Sequence, residues 1–313
     1  MQGIQINFLT HAQNVLRQVR RVIVGKNNTL TWVFAAMLAK GHILMEDIPG
    51  VGKTTMALAF AKSLGLKTGR VQFTPDILPS DVVGFSILDQ NDGKMVYRPG
   101  AVFCNIFLAD ELNRATSRTQ SALLEAMEEG QVTVDGISYP LEQPFIVIAT
   151  QNPTGAAGTQ PLPDSQTDRF MLRLSLGYPS LEDEISMVTS RQGADPLKDL
   201  SPIMKASDLI AMQELVSETY VSREVTAYAV KLVQATRTNT VVARGASPRA
   251  TLALISLSKA LARLNGRDFV VPADVQSSFV QAVAHRIELH ANVQQTAEQV
   301  LQTIAHGIVP PKP

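Results

Sequence analysis

The stretch Glu46-Asp-Ile-Pro-Gly-Val-Gly-Lys-Thr-Thr55 constrains this chain more than any other. Ile43, Leu44 and Met45 lead into it behind His42, as a short buried strand would. Met56, Leu58, Ala59, Phe60 and Ala61 leave it at helical spacing. A glycine-rich turn between a strand and a helix is the context in which such a loop binds phosphate. Gly50 and Gly52, between Pro49 and Lys53, let the backbone curl until several N–H groups face one anion. The following helix start adds its positive end. Lys53 supplies a cation for the outer phosphates, and the Thr54 hydroxyl can hold Mg²⁺. One position departs from the general formula G-x-x-x-x-G-K-[ST]: the first glycine falls on Asp47.

The rest of the chain supplies partners for that loop. Phe8, Leu9, Ala12, Val15, Leu16 and Val19 follow helical spacing, and a second apolar helix over 28–40 is expected to close on Gly41. Residues 71–73 read as a strand. Residues 101–109 form a near-continuous apolar run, as a strand buried on both faces should. That run ends in Asp110-Glu111, two carboxylates where α/β sheets bind ligands. Asp110 is placed to bind the metal of a nucleotide and Glu111 to polarise an attacking water as general base. Ser117 to Gln120 reads as a capping box opening a helix that ends at Gly130. Residues 145–149 read as another buried strand, with Asn152 at its tip, able to hydrogen-bond phosphate and water.

Two hairpins interrupt this pattern. Residues 85–89 and 95–98 flank Asn91-Asp92-Gly93, and residues 131–139 turn on Asp135-Gly136. A last strand over 171–176 follows Asp168-Arg169-Phe170, and Gly177 to Ser180 marks a candidate boundary. Beyond it strand patterns stop, and helices are expected over 181–191, 206–219, 224–237, 248–264, 272–289 and 294–304. Ser247 and Pro248 read as the N-cap and first position of one of these, which presents Arg249 from a rigid first turn. The expected fold is therefore an α/β core over 1–178, a parallel sheet flanked by helices with two inserted hairpins, and an all-α lid over 179–313. Two domains also suit 313 residues.

Composition narrows the function. Lys plus Arg and Asp plus Glu are 28 each, so the basic excess of a nucleic-acid surface is absent. Cys104, the one cysteine, sits in an apolar run and allows no disulfide framework. No apolar run reaches the roughly 18 residues of a membrane span, and the first ten residues lack the plan of a signal peptide. A cytoplasmic protein is expected. His285, His290 and His306 lack metal-ligand spacing and read as structural.

The ordered set DIPGVGKT, NIFLADELNRA, ATQNP, TDRF and SPRA resembles the AAA+ ATPases, and within them the MoxR family. RPGAVF and TQSALLEAMEEGQVTV strengthen the MoxR likeness, which spans residues 10–305. The resemblance implies ATP and Mg²⁺ as ligands. Pro49, Gly50, Val51, Gly52, Lys53, Thr54 and Thr55 then form Walker A, and Asp110 and Glu111 form Walker B. Asn152 matches sensor 1 and Arg249 sensor 2. Arg169 matches the arginine finger that acts on a neighbouring subunit's ATP, and Ile23, Val24 and Gly25 match the segment beside the adenine. The two hairpins resemble inserts of the clade that contains magnesium chelatases and replicative helicases. The family relation further implies a hexameric ring, a chaperone-like ATPase acting on protein complexes such as metal-cofactor enzymes, and a partner with a von Willebrand factor A domain. A nucleic-acid motor and a non-hydrolysing switch are the alternatives. The first conflicts with a hairpin at 131–139 that carries no Lys or Arg. The second conflicts with the presence of both Lys53 and Glu111.

Overall fold

The computed structural model describes residues 7–48, 50–90, 93–151, 162–190 and 195–312. Its strands are β1 Ile43–Glu46, β2 Thr68–Gln72, β3 Gly84–Leu88, β4 Met95–Pro99, β5 Ile106–Asp110, β6 Gln131–Val134, β7 Ile137–Pro140, β8 Ile146–Gln151, β9 Leu172–Leu174, β10 Val242–Arg244 and β11 Glu288–Leu289. Its helices are α1 Phe8–Val22, α2 Asn27–Leu38, α3 Lys53–Ser63, α4 Pro79–Val83, α5 Ser117–Glu129, α6 Asp164–Thr167, α7 Leu181–Ser190, α8 Ala206–Ser217, α9 Arg223–Thr238, α10 Pro248–Leu264, α11 Pro272–Val283 and α12 Ala297–Gly307.

Five strands form one sheet in the order β2-β5-β8-β1-β9, and every neighbouring pair runs parallel. All carboxyl ends therefore lie on one edge. Alternate residues of the apolar strands serve opposite faces, as a two-residue period requires. Ile43, Met45, Ile106, Leu108, Ile146 and Ile148 join a cluster with α1–α3. Leu44, Phe107, Ala109, Val147 and Ala149 join a second cluster with Leu123, Leu124 and Met127 of α5. The first cluster continues into Leu209, Met212, Leu232, Leu254 and Phe279 of the C-terminal helices. The N-terminal helices thus share one interior with the helical part.

Both inserted hairpins are present as antiparallel pairs, β3 with β4 and β6 with β7. They lean on each other through Tyr97 and Tyr139, whose rings stack at 3.8 Å and 13°. Asn91 and Asp92, expected in the first turn, lie outside the described residues.

Several boundaries differ from expectation. The run over 101–109 is a strand only from Ile106, because Lys67 carbonyl accepts from Asn105 and Ile106 N–H and fixes the pairing with β2 there. Helix α2 does not close on Gly41. Lys40 takes the left-handed position (φ 58°), and Gly41 N–H bonds Ala36 carbonyl at 2.8 Å, a Schellman arrangement. Gly41 is needed for proximity instead: a Cβ there would stand 2.4 Å from Met171 sulfur. The cap of α5 is Thr116, whose hydroxyl accepts from Thr119 N–H, while Gln120 turns to the Leu112 and Ala115 carbonyls. The lid also contains the small antiparallel pair β10–β11, where a continuous helix over 272–289 was expected. Cys104 is buried, and burial pushes its thiol up to about 12.

His42, just before β1, joins three elements. Val147 N–H donates to its Nδ1 (2.9 Å), so its Nε2 carries the proton and donates to Met127 carbonyl (3.0 Å). Burial pushes its pKa down from 6.5 to about 4. The folded state therefore refuses a proton that the unfolded chain accepts below pH 6.5, and stability must fall as pH drops through that window. From pH 7 to pH 5 this site should cost ~1–2 kcal/mol in urea denaturation. His42→Gln can keep both hydrogen bonds without titrating and should flatten the slope. Identical slopes for the two proteins would exclude His42 as the cause.

Candidate active site

The loop at 47–52 leaves β1 at the carboxyl edge. Gly50 and Gly52 have φ of 87° and 96°, and a Cβ at Gly50 would meet nothing within 4 Å, so space is open beside the turn. Helix α3 starts directly on Lys53, with no side chain capping its first turn. A helix start without a side-chain cap offers N–H groups and a dipole end suited to an anion. Lys53 Nζ donates to the Asp47 carbonyl at 2.7 Å and the Ile48 carbonyl at 3.2 Å. Partial burial lowers its pKa, against the pull of Asp47, Asp110 and Glu111. Pro49 lies outside the described residues.

Asp47 explains its own departure from the loop formula. It is 5% exposed. Its carboxylate accepts from Ser175 Oγ (2.6 Å), Leu176 N–H (2.6 Å) and Gly177 N–H (3.0 Å), the chain that leaves β9 toward the lid. Ile23 approaches the loop from α1, its Cδ1 3.9 Å from where a Gly52 Cβ would be. Gly25 has φ 77°, where a side chain is strained, and a Cβ there would displace the Asp183 carboxylate. Val24 lies between them, partly buried.

β5 ends two strands from β1, on the order of 10 Å away across the sheet. Asp110 is 5% exposed. Its Oδ2 accepts from Arg70 Nε at 2.7 Å, and Thr150 Oγ1 stands 3.4 Å from its Oδ1. Glu111 adopts left-handed backbone (φ 55°, ψ 45°), a strained state for a residue with a side chain. Its N–H donates to Thr150 Oγ1 at 2.9 Å, and its Oε2 accepts from Arg114 Nη1 at 2.7 Å. Gln151 of β8 pairs with Glu46, so the tip of β8 borders the loop. Asn152, the next residue, lies outside the described residues. Among the described residues no three His, Cys, Asp or Glu side chains gather. The buried Asp110 carboxylate is an oxygen donor of the kind that suits Mg²⁺, which takes one or two carboxylates and completes its shell with phosphate and water.

Arg169 and Arg249 lie elsewhere. β9 runs parallel to β1 with Leu172 beside Ile43, and Met171 N–H bonds His42 carbonyl. Arg169 therefore sits at the amino edge of the sheet, at least about 13 Å (four residues at 3.3 Å) below the loop. Its Nη2 is 3.2 Å from Glu128 Oε2, and Arg249 Nη2 pairs with Oε1 of the same carboxylate. The structure thus brings Arg249 together with Arg169, not with Lys53. Ser247 holds the N-cap position of α10, but its hydroxyl donates to Asp168 Oδ2 (3.0 Å) instead of capping the helix.

Comparison with known proteins places these features. The profile described as "ATPase family associated with various cellular activities (AAA)" matches residues 42–172, and an AAA lid domain profile matches residues 234–304. A crystal structure of a protein from Cytophaga hutchinsonii ATCC 33406, assigned as an ATPase, superposes with a TM-score of 0.89 at 34% identity, covering 97% of this chain and 96% of that one. Chaperone MoxR1 of Mycobacterium tuberculosis is 37% identical over 309 residues, 94% of this chain and 81% of that protein. The chain is a MoxR-family AAA+ ATPase. YeaC of Bacillus subtilis (strain 168), named as an uncharacterized protein, is 46% identical over 275 residues, 88% of this MoxR-family chain and 86% of YeaC.

Sequence reasoning missed several residues of this MoxR-family site. Arg114 lies three positions after Glu111, a spacing that could have flagged the pair. Arg70 reaches Asp110 only through the β2–β5 register, and Glu128 meets its arginines only through the fold; neither left a local signal. Among the described residues no helix is long and apolar enough to cross a membrane.

Proposed function

We propose that the chain hydrolyses ATP as one subunit of a homo-oligomeric ring, hexameric by family, and uses the resulting motion to remodel protein complexes. The observation that carries this is the division of the site between opposite edges of one sheet. Lys53, Asp110 and Glu111 stand at the carboxyl edge, while Arg169 and Arg249 stand at the amino edge. One chain cannot bring both sets to one phosphate, whereas two copies can.

Each residue then has a role. Val51, Thr55 and the glycine turn shape the phosphate cradle, with Pro49 within the same loop. Ile23, Val24 and Gly25 border the base. Thr54 and Asp110 would hold Mg²⁺, which supplies charge neutralisation of the phosphates when bound. Glu111 takes the proton of the attacking water, and Asn152 orients that water. Arg169 and Arg249 of the adjoining copy stabilise charge on the transferred group. Glu128 holds those two arginines side by side until a phosphate competes for them.

The inserted hairpins favour protein over nucleic acid as the client. β6–β7 carries no cation, and Phe85 and Ile87 of β3 are exposed beside Val96 and Arg98 on one face. Client complexes such as metal-cofactor enzymes, and a partner with a von Willebrand factor A domain, follow from the family relation alone. ATP turnover per subunit should rise with protein concentration as rings form, and Lys53→Ala should abolish it. Constant specific activity down to concentrations at which sedimentation shows only monomers would refute the shared site.

A further inference from the structure

The helical part enters the sheet layer beside Arg169, at a place no motif marks. Arg286 follows α11 in a single 3-10 turn, and its side chain is 2% exposed. Its Nη2 donates to Phe170 carbonyl at 2.6 Å, and its Nη1 stands 3.4 Å from Asp168 Oδ1. His285 Nε2 lies 3.0 Å from the same Phe170 carbonyl and 3.2 Å from Arg286 Nε, and serves one or the other according to its tautomer. Ser247 Oγ holds the second oxygen of Asp168. Three groups from the helical part thus fix the residues on both sides of Arg169, whose own side chain remains about a third exposed.

The chemistry of this cluster is costly for a merely structural contact. A guanidinium taken out of water loses hydration that only well-made pairs offset. Here Asp168 Oδ1, Arg286 Nη1, His285 Nδ1 and Arg169 Nε are buried without a hydrogen-bond partner among the described residues. Burial lowers Arg286 to about 10, with Asp168 opposing, so it stays charged at neutral pH. His285 is pushed well below its ordinary value by burial and by Arg286, and stays neutral. Well-packed apolar residues would satisfy stability better. What the cluster does supply is a stiff, directional hold on one backbone segment.

We infer that Arg286 is a positioning residue for Arg169: through the Phe170 carbonyl and Asp168, the lid of one subunit sets the aim of the arginine that serves the next subunit's nucleotide. This rests on the shared-site reading above. Arg286 touches no substrate in this scheme. Its loss should therefore lower turnover without weakening ATP binding to the subunit that carries the change. A displacement of about 1 Å at a catalytic group can cost about 10²-fold, so Arg286→Met should lower kcat by roughly 10–100-fold with KM for ATP little changed.

Mixed rings test both levels. Lys53→Ala subunits lack nucleotide but present an intact Arg169. Co-assembled with Arg286→Met subunits they should restore turnover several-fold above the sum of the two separate proteins. Arg169→Ala mixed with Lys53→Ala is the control. If that control recovers and the Arg286→Met mixture does not, although Arg286→Met keeps the wild-type melting temperature, the inference is wrong. If the control fails to recover, the shared-site reading itself falls. Should Arg286→Met not fold, Arg286→Lys and Ser247→Ala decide: a lowered kcat that Lys53→Ala rescues supports the inference, and unchanged kcat in both overturns it.

Discussion

Arg169→Ala is expected to lower ATP turnover by about 10³–10⁵-fold while each subunit binds ATP as tightly as before. Binding is spared because Arg169 lies at the amino edge of the sheet, away from its own phosphate loop. The protein should also remain folded. The Arg169–Glu128 pair is partly exposed on both sides, 32% and 37%, and such pairs contribute ~1 kcal/mol or less. A large kinetic loss with little change in stability is the signature of a group used only when charge develops on phosphate. Isothermal titration with ATP, turnover assays and a thermal melt on the same sample check all three parts. A tenfold loss of ATP affinity would instead mean that Arg169 already holds the phosphates before any charge develops.

Glu111→Gln should lower kcat by about 10²–10⁴-fold, the range for losing a positioned general base, and leave ATP binding intact. The amide keeps the size of the side chain and can still meet Arg114, so the left-handed turn at 111 should survive. Wild-type Glu111 pairs with Arg114 at 2.7 Å, with the two side chains 22% and 37% exposed. That contact must open or be shared before Glu111 can take a proton from water, and its partial exposure keeps the cost of opening to ~1 kcal/mol or less. Phosphate release at saturating ATP measures the effect. Equal rates for wild type and variant would remove Glu111 from the chemistry and favour a nucleotide switch.

The legible parts of this molecule share one property: each is written in a local stretch of chain. The phosphate loop announces itself because strand, glycine turn and helix are contiguous from Ile43 to Ser63. The acidic strand end and both hairpins are equally local. Helix α10 was readable to the residue, because Ser247 and Pro248 mark its start and apolar spacing carries it to Leu264. What the sequence hid is whatever depends on register or on crossing between layers. Glu128 gives no hint that two arginines from distant segments share it. Arg286 reads as one more helical arginine until β9 and the turn after α11 are placed together. The pair β10–β11 was missed because two or three residues carry no detectable alternation. Lys40 in the left-handed position contradicts the preference for glycine, since the neighbouring glycine is consumed by Met171.

Asp47 turns a substitution into a splice. With glycine at that position the carboxylate bonds between the cradle and the chain leaving β9 would be absent. With aspartate, three donors from Ser175, Leu176 and Gly177 are tied to a residue whose carbonyl also receives the Lys53 ammonium. Any rearrangement of the lysine on meeting an anion is therefore felt by the same residue that holds the chain leaving β9, without a chain of intervening side chains to dilute it.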